Sequence, residues 1–233
     1  MRLRLPAERP TEPPTGYKIA HPVLSQDGTR AGFTGVSLGG TLPYGVLDDA
    51  SCVYGRRHRT PARHCACGFH CLHDRTAAEA LLCTAEHRTA VLLEVAVLGR
   101  YIRFERGYRS SRQRVRTVTV GPCACGAPAA ALADAGWGRP GWRALAPACA
   151  GCVHARATRS LAGFARLAGE GVRVVAGAAL GTPPDAADVA DTGGDLGVPE
   201  LVAEAALLQA RLDWFQTQLA HLGERGGGSA GQG

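Results

Sequence analysis

The spacing of apolar residues changes several times along this chain. Residues 17–20 (Tyr-Lys-Ile-Ala) and 31–36 (Ala-Gly-Phe-Thr-Gly-Val) are short apolar runs broken by glycines, which predicts two strands. Residues 89–98 are almost wholly apolar and rich in β-branched side chains, the pattern of a buried strand. Residues 101–106 and 113–120 alternate and are expected to pair with it. Helical signals are fewer. Thr76 with Glu79 three residues on reads as a capping box that opens a helix over 77–85. Alanine-rich 128–135 reads as a helix. So does 155–168, where Leu161, Phe164 and Leu167 share a face and Gly169 is a stop signal. The longest periodic segment is 199–222. Leu201, Ala205, Leu208, Leu212, Phe215, Leu219 and Leu222 recur at alternating spacings of four and three, a three-heptad seam.

These elements predict an α+β fold: a small antiparallel sheet with embedded zinc knuckles, then a linker and one long C-terminal helix. The expected divisions are a flexible N-terminus at 1–16, a zinc-stabilised domain at 17–176, a Gly/Ala/Pro/Asp linker at 177–198, an amphipathic helix at 199–222 and a disordered tail at 223–233.

Composition narrows the class. The chain has 233 residues, 45% of them hydrophobic, enough for one sizeable core. No run reaches the roughly 20 apolar residues of a membrane span, and no apolar stretch follows the two arginines near the start. A cytoplasmic location is the expectation. Nine cysteines in a reducing compartment, in close pairs and odd in number, point to metal ligation rather than to disulfides.

The cysteines form two groups. In the second, Cys123 and Cys125 are followed by Cys149 and Cys152. Four thiolates in two close pairs suit a closed tetrahedral zinc site; an iron–sulfur cluster would use the same ligands. The first group offers more donors than one ion needs. Cys52, His58, Cys65 and Cys67 are the favoured set for a second zinc, with His64 able to replace His58 and Cys71 able to replace Cys52. His70 and His73 read as ordinary residues, and Cys71 and Cys83 as small buried hydrophobes.

Cys52, the run His58-x-x-Pro61, the run Cys65-x-Cys67-Gly68-Phe69 and the later stretch from Gly99 to Arg109 together resemble a group of small Cys/His proteins from high-GC Gram-positive bacteria. The similarity spans residues 17–125. It supports the metal set Cys52, His58, Cys65 and Cys67 and implies no activity, since none is established for that group. The chain departs from the group pattern after Gly68, with Phe-His-Cys where the group has Ile-Tyr-Ala.

Charge points to a partner. Arg100, Arg103, Arg106, Arg109, Arg112, Arg114 and Arg116 stand against Glu105, a net +6 that equals the formal charge of the whole chain. Tyr101, Phe104 and Tyr108 lie among them. Arginine forks suit phosphate oxygens and aromatic rings suit bases, so this β-ribbon is the expected nucleic-acid or polyanion surface, with Tyr101 and Tyr108 as stacking residues. The leading expectation is a non-enzymatic, regulatory binding module holding two zinc ions. One alternative is a metal-dependent or redox enzyme using the 52–73 cluster. Another is an adaptor or homodimer acting through the seam from Leu201 to Leu222. No catalytic constellation is recognisable.

Overall fold

Eleven residues of extended chain, Thr15–Ser25 (β1), begin the sheet. A turn through Gly28 sends Ala31–Gly35 (β2) back along them, with Val23 opposite Gly32 and His21 opposite Thr34. This is a computed structural model, and it describes residues 12–36, 42–52, 54–84, 87–153 and 158–177. The chain divides into two units, Met1–Pro184 and Asp185–Gly233. All described residues belong to the first. The linker, seam helix and tail expected at 177–233 lie outside them, apart from Gly177.

After β2 come Leu47–Asp49 (β3) and Phe69–Leu72 (β4), then helix α1 at Arg75–Ala80 and a 3-10 turn at Leu81–Cys83. The two longest strands follow, Val91–Arg103 (β5) and Gly107–Val120 (β6), joined as a hairpin. Then come Ala131–Arg139 (β7), Trp142–Ala148 (β8), Thr158–Ser160 (β9), helix α2 at Leu161–Ala168 and Arg173–Ala176 (β10). The ten strands make one sheet. It is antiparallel throughout except where β10 runs parallel to β6. β1 pairs with β5, β5 with β6, β6 with β4 and β4 with β1, so these four strands close a circuit.

The core follows from the alternation of β5. Val91, Leu93, Val95 and Val97 point into one cluster with Val115, Val118 and Val120 of β6, Phe33, Leu132, Leu145 and Phe164. Phe164 anchors α2 there, its ring 5.9 Å from that of Phe33. Leu92 and Ile19 face the other way and are covered by Ala78 and Leu82.

Several local expectations change. The cap of α1 is Asp74, whose carboxylate accepts from the N–H groups of Thr76 and Ala77; the helix therefore starts before the predicted box, and Thr76 is inside it. The alanine-rich 128–135 contributes to strand β7 rather than a helix, because pairing on both edges, to β8 and to β9, outweighs alanine's modest helix preference. Of the expected helix at 155–168, residues 158–160 form β9 instead and Leu161–Ala168 form α2, which Ser160 opens with a hydroxyl that accepts from the Gly163 N–H. The sheet starts earlier than expected, with Thr15 and Gly16 already paired to β5. Residues 101–106 do not pair with the apolar run: 101–103 continue β5 and pair with 108–110 of β6, and 104–106 form the turn between the two strands.

Candidate metal centres and the arginine surface

Two sets of four donors come together, and both match the sets expected from spacing. Cys52, His58, Cys65 and Cys67 form site 1, and Cys123, Cys125, Cys149 and Cys152 form site 2. Within each set the ligand atoms all lie within 4.8 Å of one another.

β6 positions site 1. β3 lies against Arg112–Arg114 and leads directly to Cys52, while Cys65 and Cys67 lead into β4, which lies against Gly107–Ser110. The intervening loop is tied by the Thr60 hydroxyl to the Ala50 carbonyl at 2.6 Å, and by the Cys65 N–H to the Ala62 carbonyl. Gly68, with φ +120°, must be glycine, since a Cβ there would sit 2.9 Å from Arg109 Cγ.

The β7–β8 hairpin positions site 2. Ala131 opposes Ala148 at its open end, and the two cysteine pairs lie just outside that point. The 23 residues between Cys125 and Cys149 are thus folded back on themselves. Each pair sits in a tight turn, with Gly126 N–H bonded to the Cys123 carbonyl and Cys152 N–H to the Cys149 carbonyl.

The distances fit a metal. Zinc–sulfur bonds of about 2.3 Å put tetrahedral sulfurs about 3.8 Å apart. Cys52 and Cys65 sulfurs are 3.7 Å apart, those of Cys125 and Cys149 3.6 Å, and Cys67 Sγ lies 3.8 Å from His58 Nε2. A disulfide would need about 2.05 Å, and all nine cysteines are free thiols.

Electrostatics separates the thiols within each site. Backbone N–H groups of Cys125 and Cys149 aimed at the Cys123 sulfur bring its thiol down to about 6. The neighbouring thiols of Cys149, Cys125 and Cys123 push Cys152 up to about 12. At site 1, burial opposes ionisation of Cys52, but N–H groups of Arg56 and Tyr54 outweigh it and bring the thiol to about 7. Burial, with Cys67 and Cys52 adjacent, pushes Cys65 up. Each set therefore has one readily ionised thiol and one that resists a second negative charge, a conflict that a bound cation removes. Access also differs: Cys125 and Cys152 are exposed, whereas Cys67 is buried.

The alternative ligands fall outside these sets. Cys71 is buried beneath the Tyr108 carbonyl. His64 is exposed. His70 bonds the Ala66 carbonyl and His73 the Phe104 carbonyl, each at 2.9 Å.

Along the hairpin, Arg100, Arg103, Arg106, Arg112, Arg114 and Arg116 are exposed. Arg112, Arg114 and Arg116 occupy alternate positions of β6, with buried Gln113 and Val115 between them, and Arg112 lies 3.5 Å from Asp49. Arg109 is a correction to the expected surface. It is only 6% exposed, and its guanidinium donates to the carbonyls of Cys65 and Ala62. Tyr101 and Tyr108 are half-buried and packed edge-on to each other at 5.7 Å, with His73 against Tyr108; Phe104 is the hairpin's exposed ring. The basic character of the site 1 loop was not among the sequence expectations. Arg56, Arg57, Arg59 and Arg63 are exposed there, and the signal was available as four arginines in 55–64 without one acid.

No family model, curated protein or solved structure matches this chain. No helix among the described residues is long and apolar enough to cross a membrane.

Proposed function

We propose that this chain is a zinc-stabilised, non-enzymatic module that binds nucleic acid through the β5–β6 hairpin and the arginine loop of site 1. The observation that carries this reading is the joint exposure of six hairpin arginines and four loop arginines. Loop and hairpin are tied together by the Arg109 bonds to Ala62 and Cys65. Such a surface suits phosphate contacts, which arginine makes with a planar fork and without regard to sequence.

Zinc is the metal best suited to both donor sets, because three cysteines with a histidine, or four cysteines, are its usual structural ligands. Four protein donors fill a tetrahedron, so the ion would supply folding energy and hold the loops rather than activate a substrate. In site 1 His58 would supply the nitrogen; in site 2 all donors are sulfur.

Mobility-shift titrations of the zinc-loaded full chain against single- and double-stranded oligonucleotides test the reading. Binding that weakens steeply with salt supports it. The absence of a shift at low salt for both kinds of strand would sink it.

A further inference from the structure

Arg109 is a buried cation with no carboxylate partner among the described residues. Its side chain is almost fully buried, and among the described residues none of the ion pairs includes it. Its hydrogen bonds go instead to two backbone carbonyls in the loop of site 1, Cys65 through Nη1 and Ala62 through Nη2 at 2.9 Å. Ala62 O also accepts from the Cys65 N–H at 3.2 Å, so the fork closes around the turn that presents the Cys65 sulfur. On its outer side the guanidinium lies 5.3 Å from the centre of the Phe104 ring. Its Nε is buried with no partner.

Burying a guanidinium costs several kcal/mol unless charge or dipoles answer it. Two carbonyl dipoles answer it in part. A divalent cation held by three thiolates and a neutral imidazole would leave one negative charge on the donor set that includes Cys65, whose carbonyl the fork already holds. The described residues between β3 and β4 form no helix or strand of their own. The fork is therefore a principal restraint on the path of Cys65 and Cys67 before an ion arrives.

From this we infer that Arg109 is a positioning residue for site 1: it presets the Cys65–Cys67 turn for metal capture and supplies the counter-charge to the loaded thiolate set. This rests on the reading of site 1 as a metal site. It also separates Arg109 from the nucleic-acid surface to which its sequence neighbours belong.

The test is Co2+ titration of the full chain against a competing chelator, in wild type, Arg109→Gln and Arg109→Lys. A centre of three thiolates and an imidazole and a centre of four thiolates give distinct d–d absorption envelopes, with the all-thiolate one at lower energy, so the two sites are read in one sample. In Arg109→Gln, site 1 is expected to weaken about 10–100-fold, the usual effect of removing a group that orients a metal ligand, while site 2 stays within twofold. Arg109→Lys keeps the charge and loses the fork; it should fall between the two, and it serves as the readout if the glutamine variant does not fold. Unchanged site 1 affinity in either folded variant overturns the assignment. Equal weakening of both sites also overturns it, since that is general destabilisation. Wild type that takes up fewer than two ions overturns the metal reading itself, and this inference with it.

Discussion

Replacing Arg112, Arg114 and Arg116 together by glutamine removes three exposed charges that alternate with buried positions on β6. Each phosphate contact contributes about 0.9 to the slope of log affinity against log salt. If about five of the six exposed hairpin arginines reach phosphates, the wild-type slope is about −4.5. The triple variant loses about 2 to 3 of this, the lower figure applying if the Arg112 contact with Asp49 already occupies that side chain. Between about 50 and about 200 mM salt, wild-type affinity should then fall roughly 500-fold and the variant's only about 10- to 40-fold. Fluorescence anisotropy with a labelled oligonucleotide measures both slopes. The side chains are exposed, so the thermal transition should not move, and this controls for folding. A wild-type slope shallower than about −1, or equal slopes in the two proteins, would refute the claim that this strand meets phosphate.

Other expectations concern stability and access. Phe164→Ala empties the buried position where α2 meets Phe33; it should cost about 3–5 kcal/mol, seen as a lower urea midpoint at unchanged m-value. His21, buried and beside His87, has its pKa lowered from 6.5 to about 4. The unfolded chain binds the extra proton between those values, so this contribution to stability is full above about 6.5, falls as pH drops, and is lost by about 4. His21→Gln should remove that part of the pH dependence, read as the difference between the two melting-temperature profiles; superimposed slopes would refute it. In metal-free protein, brief iodoacetamide treatment followed by peptide mass spectrometry should label exposed Cys125 before Cys71, which is buried and whose thiol burial pushes up; the reverse order would contradict the burial described.

Much of the two donor clusters was legible because close pairs, Cys-x-Cys and Cys-x-x-Cys, place sulfurs within reach of one another whatever surrounds them. The apolar run and the alternation after it were legible for the same kind of reason, but the position of the turn was not: 101–103 continue β5 past Gly99 instead of pairing back on it. What joined the two halves of site 2 was not. β7 begins Ala-Leu-Ala-Asp-Ala, a composition that favours a helix in isolation, and its pairing with β8 and β9 makes it a strand. The fate of Arg109 was hidden too. By sequence it is one of seven arginines in a ribbon; its burial is set by β4 closing over β6 and by a loop whose Ala62 stands 47 residues earlier. The Asp74 cap was missed because Thr76 and Glu79 offered a rival box two residues on.

The pairing of β3 and β4 side by side on β6 makes that strand a ruler. The distance from Cys52 to Cys65 and Cys67 is fixed by the stretch of β6 between the positions opposite Phe69 and Asp49, Ser110 and Arg112. One residue inserted there would lengthen the ruler by about 3.3 Å. That exceeds the tolerance of a coordination bond, so site 1 would lose Cys52 although every ligand remained in the sequence. Length variation in this chain should therefore collect in its turns, while the span from Gly107 to Arg114 keeps a constant count.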